Sequence, residues 1–353
     1  MLKRTYRIVA ASALAATVSV AGVGPATPAV SAQAMPPAGH DRAVWSDRAP
    51  MSTARAEVGV AALGGRVYVV GGTVQSGDEQ PTWATTLVTS YDPHTDRWRQ
   101  HAPLPRPLTH VGVAGLNGKL YAFGGFTDIV HMHPQQVAYA YDPLRDAWSR
   151  LPDMPQKLGS VGVAAVNGKL HLLGGRDSRT VVTLPDPPIS IGYGTVRTHL
   201  VFDPARRSWS TAAPLPVEPR DHAGVAVVGD RVHVFGGRVA EGEDNLARHD
   251  VYDTRTRRWS RAAPLPTPRS AGAAVVLDGR IVYAGGECRP DETTYDDVTA
   301  YDPRKDRWTT LSPLPQGRHG LGAARVGDRG YFMAGALTCG GGASADTLEL
   351  NLR

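Results

Sequence analysis

Cysteine is scarce in this sequence of 353 residues, which has only Cys288 and Cys339. Two cysteines exclude a zinc site made of four and a fold that depends on a dense disulfide framework. Two catalytic motifs are missing as well: there is no phosphate-binding Gly-Lys-Ser/Thr loop and no Gly-x-Ser-x-Gly elbow. Nucleotide hydrolases and serine hydrolases of the α/β type therefore lack support.

Long apolar runs are absent after residue 34, where no stretch approaches the ~20 residues of a membrane-spanning helix. The apolar run at 8–24 follows three basic residues and precedes a small-x-small sequence at 32–34, which is typical of a secretory signal peptide. A membrane anchor is the weaker interpretation, because the run is short and is followed by Pro25 and Pro28. We predict a signal peptide at 1–34 and a secreted protein, extracellular or periplasmic.

The excess of positive charge is small once the signal peptide is removed. The formal net charge of +5 includes three Lys/Arg within 1–34, where Asp and Glu are absent, so the mature chain carries +2. No dense basic run remains to attract nucleic acid or an anionic membrane. We expect a soluble monomer with no nucleic-acid partner and no membrane span in the mature chain. Because an oxidising compartment favours pairing, we expect a disulfide between Cys288 and Cys339.

One phrase is repeated 50 residues apart: "NGKLYAFGG" at 117–125 and "NGKLHLLGG" at 167–175. Gly-Gly doublets close further apolar runs, and six tryptophans follow at intervals between 49 and 61 residues. The doublets lie at 71–72, 124–125, 174–175, 236–237 and 285–286, with Ala334-Gly335 as a damaged copy. The tryptophans are Trp45, Trp98, Trp148, Trp209, Trp259 and Trp308. A period near 50 residues is typical of propeller repeats.

Each repeat contains four strand-like segments joined by turn signals. An apolar run meets Asn-Gly, a strong hairpin turn, and the returning strand ends in the doublet. After a variable loop comes a third segment, an Asp-Pro turn and a fourth segment with the tryptophan. Six such units predict an all-β, six-bladed propeller. Since Trp45 has no preceding strands and the chain stops after a third strand, the N-terminal strand at 41–46 should complete the sixth blade and close the ring.

The doublets, the "YDP" turns at 91–93, 141–143 and 301–303, and the spaced tryptophans resemble the Kelch family over about 41–353. The resemblance implies a Kelch β-propeller at 35–353. It says little about activity, because one fold hosts many functions. Kelch propellers include intracellular partner-binding domains, secreted sugar oxidases and a periplasmic sialic-acid mutarotase.

Strand parity places the variable loops and the links between blades on one face, and the tight turns on the other. Two sets of positions should point into the loop-bearing face near the axis. The first set precedes each innermost strand: Glu57, His110, Ser160, His222, Ser270 and Gly320, with Arg269 and His319 adjacent. The second follows each doublet: Thr73, Phe126, Arg176, Arg238, Glu287 and Ala336. Trp83, the only tryptophan outside the repeat, lies in a loop of the same face.

We predict a binding module for an extracellular glycan or protein. The candidate ligand-binding residues are Glu57, His110, Arg176, His222, Arg238, Glu287, Phe126 and Trp83. Because arginine grips carboxylates with two hydrogen bonds, we expect an acidic ligand. The alternative is a carbohydrate-active enzyme, a sugar epimerase, mutarotase or lyase, using Glu287 with His110 or His222 as acid and base.

No cofactor is expected. A galactose-oxidase-like copper site needs a Tyr-His pair, and no Tyr-His dipeptide occurs. His131 and His133 are weak metal candidates that, on one strand face, would reach a metal together with His110. The third repeat also carries a proline-rich insertion at 181–194, either a lid over the axis or a tolerated extension.

Overall fold

A computed structural model describes residues 42–75, 82–128, 131–185, 188–239 and 244–353 of the chain. The signal-peptide prediction for 1–34 lies outside these residues. Six four-stranded antiparallel sheets form the described chain, together with three two-stranded ribbons. The prediction of an all-β, six-bladed propeller is therefore confirmed. The described chain contains no helix long and apolar enough to cross a membrane.

Each blade has four strands, which follow one another from the axis outwards. Blade one contains Gly59–Leu63, Arg66–Val70, Val88–Asp92 and Arg97–Gln100. Blade two contains Gly112–Leu116, Lys119–Phe123, Ala138–Asp142 and Ala147–Arg150. Blade three contains Gly162–Val166, Lys169–Leu173, His199–Asp203 and Ser208–Thr211. Blade four contains Gly224–Val228, Arg231–Phe235, His249–Asp253 and Arg258–Arg261. Blade five contains Ala273–Leu277, Arg280–Ala284, Val298–Asp302 and Arg307–Thr310. Blade six contains Gly322–Val326, Arg329–Met333, Thr347–Leu352 and Ala43–Arg48.

The first and last strands of the described chain close the ring. Ala43–Arg48 pairs antiparallel with Thr347–Leu352, with Ala43 opposite Leu352 and Arg48 opposite Thr347. The predicted closing strand at 41–46 is thus confirmed with its bounds moved by two residues. The first strands of successive blades also contact one another, and the first strand of blade six contacts that of blade one.

Small residues let the innermost strands approach closely. A Cβ added to Gly112 would lie 2.6 Å from Val163 Cγ2 in the next blade. In blades one to four the first strand has small residues at its first and third positions, such as Gly112 and Ala114, with a half-buried valine between them, so six strands fit around a narrow axis. In the doublets the second glycine has a left-handed φ, as at Gly125 with φ 93°, where a Cβ would lie 2.7 Å from Thr109 O. Only glycine satisfies both demands.

The repeated tryptophans connect neighbouring blades. The indole Nε1 of each of five donates to a backbone carbonyl that precedes its blade, as from Trp98 to Ala49 O at 2.7 Å and from Trp148 to Ala102 O at 3.0 Å. The others are Trp209 to Pro152, Trp259 to Ala213 and Trp308 to Ala263. This satisfies a polar atom while the ring packs against the blade core.

Four buried arginines occupy equivalent positions in the links between blades. Each is at most 2% exposed: Arg55, Arg220, Arg269 and Arg318. Arg269 donates to Tyr283 O at 3.1 Å, to Gly285 O at 3.1 Å and to Thr299 Oγ1 at 2.9 Å. Arg269, which the sequence places next to the first set of axial positions, is fully buried, because its guanidinium donates to oxygen atoms within its own blade.

Candidate functional site

Six residues in a left-handed backbone conformation surround the axis on the loop-bearing face. Their φ values lie between 49° and 59°: Glu57, His110, Ser160, His222, Ala271 and Gly320. We call this set the axial ring. Ala271 takes the place predicted for Ser270, which is instead fully buried. Five backbone hydrogen bonds run around the ring, for example from His110 N to Glu57 O at 2.9 Å and from Gly320 N to Ala271 O at 2.9 Å.

The axial ring opens into a pocket of about 140 Å³. Below the ring the walls are apolar and include the residues that directly precede four of the innermost strands: Val58, Val111, Val161 and Leu321. The pocket therefore has a polar mouth made of carboxylate, imidazole and hydroxyl groups above an apolar floor. Non-glycine residues with φ near +50° are uncommon, and such strain is concentrated at functional sites.

Glu57 is held between two histidines. Its Oε2 lies 2.9 Å from His110 Nε2, and its Oε1 lies 3.2 Å from His319 Nδ1. Burial alone would raise the pKa of Glu57, but the two histidines hold it well below its ordinary value. Burial likewise opposes the charge on His319, yet Glu287 and Glu57 raise its pKa to about 9. Glu57 is consequently ionised and His319 is protonated near neutral pH.

Asp221 is the second buried carboxylate and joins three side chains. Its Oδ2 accepts from Arg176 Nε at 2.5 Å, and its Oδ1 lies 2.7 Å from His222 Nδ1 and 3.6 Å from Arg238 Nε. Burial opposes its charge, but His222, Arg176 and Arg238 hold its pKa well below the ordinary value. His222 Nε2 in turn lies 3.2 Å from Ser160 Oγ. An ionised carboxylate thus orients an imidazole towards a hydroxyl group of the axial ring.

Arg238 and Glu287 form the third charged pair. Arg238 Nη1 donates to Glu287 Oε2 at 2.7 Å, and the two side chains are 9% and 15% exposed. Burial would raise the pKa of Glu287, but Arg238 and His319 lower it. Glu287 is therefore a carboxylate near neutral pH, which suits a proton acceptor better than a proton donor.

Three imidazoles cluster at the pocket mouth. The ring centroids of His110, His131 and His222 lie between 4.8 and 5.2 Å apart. One potential ligand nitrogen from each lies within 4.8 Å of the others. The prediction paired His131 with His133, but His133 points away: its side chain is 65% exposed, beside Asp128. The pairing failed because this segment is a loop rather than a strand, so alternate residues do not share a face.

The insertion in blade three is a β-ribbon, Arg176–Pro185 paired with Pro188–Thr195. At its base Ser178 Oγ donates to His131 O at 2.5 Å, and a Cβ on Gly192 would lie 2.4 Å from the same oxygen. The ribbon therefore fixes the blade-two loop that carries His131. Val181 and Val182, further along the ribbon, are 50% and 44% exposed.

Two predicted ligand contacts are buried instead. Phe126 is 0% exposed and packs edge-on against His110, with ring centroids 5.5 Å apart. Arg176 is also 0% exposed, since its guanidinium lies under the ribbon and donates to Gly192 O at 3.1 Å. Both residues support the site from behind. Trp83, in the ribbon of blade one, is 56% exposed and available to a ligand.

The two cysteines are joined as expected. Cys288 and Cys339 form a disulfide between the loops of blades five and six, with their Cα atoms 5.1 Å apart. The bond lies on the loop-bearing face, because Cys288 directly follows Glu287 at the pocket mouth.

Comparisons with known proteins agree with this architecture. A model of the KLHDC2/KLHL20/DRC7 Kelch-repeats domain matches residues 192–335, and a model of the Kelch motif matches residues 107–155. Kelch-like protein 36 of Bos taurus is 34% identical over 88 residues, which cover 25% of this chain and 14% of that protein. Kelch-like protein terF of Aspergillus terreus is 30% identical over 198 residues, which cover 52% of this chain and 39% of that protein. The chain thus spans less than half the length of these curated relatives.

Among solved structures, that of YjhT is similar with a TM-score of 0.68. The match covers 84% of this chain and 95% of that one at 18% sequence identity. Identity this low shows a common fold and carries no information about ligand or activity.

Proposed function

This chain belongs to the Kelch-repeat β-propeller family, and from that premise we propose that it is a secreted binding module for an extracellular glycan or protein. The axial pocket takes one polar group of the ligand, such as a single sugar ring or one peptide side chain. The loops of the same face contact the remainder of the ligand. The observation that carries the proposal is the axial ring, which collects ionisable and hydroxyl side chains from several blades around one pocket.

The site is arranged before a ligand arrives. Glu57, Asp221 and Glu287 each have a cationic or imidazole partner that fixes the carboxylate. Groups held in this way lose little conformational entropy on binding, which improves affinity for a small ligand group. The pocket volume of about 140 Å³ limits that group to roughly one ring.

The predicted preference for an acidic ligand remains part of the proposal. Arg176 and Arg238 are already paired with Asp221 and Glu287. A ligand carboxylate must therefore compete with Glu287 for Arg238. A ligand hydroxyl or amide group can instead donate to Glu57 without displacing His110 or His319, because each carboxylate oxygen accepts more than one hydrogen bond. Comparing the affinities of an acidic and a neutral ligand with the same scaffold shows whether the ligand binds through Arg238 or through Glu57.

Trp83 supplies a second contact in this proposal. Its exposed indole suits stacking against a sugar or packing against a protein surface, and aromatic residues dominate binding energy at such sites. Since most of the ring lies in solvent, Trp83→Ala should weaken binding while leaving the unfolding temperature unchanged.

The test is a screen of glycan arrays and peptide libraries, followed by titration calorimetry with the selected ligand. We expect Glu57→Gln to weaken binding by about 1–3 kcal/mol, because a charge-assisted hydrogen bond is lost. Lys119→Ala is the control, since Lys119 lies on the opposite face, 46% exposed beside Asp142. If Glu57→Gln binds the ligand as tightly as the wild type and Lys119→Ala loses affinity, the binding site lies on the opposite face and the proposal is wrong.

A carbohydrate-active enzyme is the second candidate, favoured by the oriented His222. Burial lowers the pKa of His222 more than Asp221 raises it, so the imidazole is neutral and can accept a proton. An epimerase or lyase acting through Glu287 and His222 should lose turnover in Glu287→Gln while keeping ligand affinity. A binding module shows no turnover to lose, and product analysis of the selected glycan by NMR separates the two.

A further inference from the structure

We propose that His110, His131 and His222 bind one divalent transition-metal ion, zinc or copper, at the mouth of the axial pocket. The proposal does not depend on the identity of the ligand discussed above. It concerns a metal-binding activity that the repeat architecture does not require.

The three imidazoles come from different parts of the chain and converge on one point. His110 and His222 are members of the axial ring in blades two and four, and His131 lies in the loop of blade two. Their candidate nitrogens lie within 4.8 Å of one another. Nitrogens that share a tetrahedral zinc ion at about 2.0–2.1 Å lie about 3.4 Å apart. Ring rotations that move each nitrogen by roughly an ångström therefore bring the three nitrogens to the spacing of a zinc site.

Two of the histidines already have the outer partners of metal ligands. His222 Nδ1 lies 2.7 Å from Asp221 Oδ1, and His110 Nε2 lies 2.9 Å from Glu57 Oε2. In metal sites a ligating histidine usually donates its second N–H to a carboxylate, which fixes the tautomer and orients the ring. Each ring thus has a second nitrogen that can bind the metal, and the two carboxylates offset its charge.

His131 supplies an independent observation. Its Nε2 is buried and makes no hydrogen bond to any described residue. A buried polar atom without a partner is unfavourable, and in folded proteins such an atom often faces an ion or an ordered water molecule. The residue also has φ 63° and is held by Ser178 through its carbonyl. The blade-three ribbon therefore keeps this imidazole at the axis.

Three contacts must open when the metal binds, and one of them is the hydrogen bond from Ser160 Oγ to His222 Nε2, which lie 3.2 Å apart. Arg176 Nη1 lies 3.0 Å from His131 Nδ1, and a guanidinium can only donate. Coordination through Nε2 places the ring proton on Nδ1, so Arg176 has to move away while Asp221 still accepts from its Nε. His110 Nδ1 lies 3.0 Å from Thr109 Oγ1, and this hydroxyl group must rotate away as well.

The donor set decides the class of metal. Three imidazoles suit zinc and copper, whereas calcium and magnesium prefer oxygen ligands. Three protein ligands leave a fourth position for water or a ligand atom, as in catalytic and ligand-exchanging sites. That position would face the pocket, next to Ser160 Oγ, which lies 3.2 Å from His222 Nε2.

The experiment uses the mature protein purified without a histidine tag and stripped with a chelator. Titration with Zn²⁺, and separately with Cu²⁺, is followed by calorimetry, and metal content is measured after desalting. We expect one ion per chain and a rise in unfolding temperature, because the ion binds the folded state. Absence of stoichiometric binding for both metals overturns the proposal.

Variants locate the ion. His131→Gln should weaken binding at least 100-fold, and Glu57→Gln should weaken it 10- to 100-fold through the orientation of His110. His133→Gln is the matched control in the same loop, exposed and outside the cluster. A thermal melt of each variant without metal first shows that it is folded. Wild-type metal affinity in His131→Gln, or loss of metal affinity in His133→Gln, contradicts the assignment. If His131→Gln does not fold, Co²⁺ bound to the wild type must show tetrahedral absorption bands, and an octahedral spectrum overturns the site.

Discussion

Arg176 Nε lies 2.5 Å from Asp221 Oδ2, and neither side chain is exposed to solvent. The pair joins the ribbon of blade three to the link that enters blade four. Asp221 also fixes His222, so the ion pair supports the site from below rather than forming its surface.

Arg176→Ala should lower the free energy of unfolding by about 3–5 kcal/mol, because it leaves the buried Asp221 carboxylate with only His222 and the more distant Arg238. Urea unfolding measures the change. Arg179→Ala is the control on the same ribbon, since its pair with Asp177 is exposed and surface pairs contribute about 0–1 kcal/mol. Equal stability of Arg176→Ala and the wild type, combined with lost ligand affinity, would instead make Arg176 a direct ligand contact.

Ring closure makes a second prediction. A chain that starts at residue 50 lacks Ala43–Arg48 and exposes the edge of Thr347–Leu352. It also loses Trp45, whose ring lies 5.1 Å from that of Phe332. We expect a lower unfolding temperature and aggregation through the open edge, compared with a chain that starts at residue 35. Matching thermal melts for the two chains would show that closure does not depend on this strand.

The disulfide makes a third prediction. Cys288 and Cys339 are 51 residues apart in sequence, and closing a loop of that length in the unfolded chain corresponds to about 4 kcal/mol in the chain-entropy model. Replacing both residues by serine should lower stability by up to that amount. Thiol titration of the unreduced, unfolded protein should find no free thiol, and two thiols per chain would show that the bond does not form.

His319 makes a prediction about pH. Its pKa is raised to about 9 in the folded protein, where Glu287 and Glu57 outweigh burial, and it also contacts Thr338 O. An unfolded histidine titrates near 6.5. The resulting stabilisation, about 3 kcal/mol, is fully present below pH ~6.5 and is lost as the pH rises to ~9.

The measurement is urea unfolding between pH 6 and 9.5 for the wild type and for His319→Gln. The free energy of unfolding of the wild type should fall across this pH range relative to that of the variant. Parallel plots of the two free energies against pH would contradict the raised pKa of His319. The pKa of His222 shifts in the opposite direction from that of His319, because burial lowers it.

Much of the fold is readable in the sequence because its signals are local. Asn117-Gly118 forms the predicted hairpin turn between Gly112–Leu116 and Lys119–Phe123. The doublets and tryptophans mark strand ends in the same register in nearly every blade. The site is harder to predict, because its residues depend on how the repeats are aligned and on contacts between side chains that are distant in sequence. Aligning Gly272 with Gly112 predicts Ser270 in the ring, but the first strand of blade five begins one residue later, at Ala273, and Ala271 enters the ring.

The three-histidine cluster could not be inferred from spacing. His131 reaches the axis only because Ser178 in the insertion of the next blade holds its carbonyl. The buried arginines can be recognised from the sequence, because arginine occurs two residues before the axial-ring residue in four of the six links between blades. Leucine replaces it in the other two, at Leu108 and Leu158. Alternation between arginine and leucine at one position indicates burial rather than ligand contact.

The ligand is proposed to bind at the axial pocket on the loop-bearing face, and hydrogen–deuterium exchange tests this most directly. Exchange is compared with and without the ligand selected by the arrays. We predict added protection at the backbone amides around Glu57, His110 and Ser160, and no change at the turns of the opposite face, such as Asn117-Gly118 and Asn167-Gly168. Protection confined to those turns, with the axial ring unchanged, would contradict binding at the axial pocket.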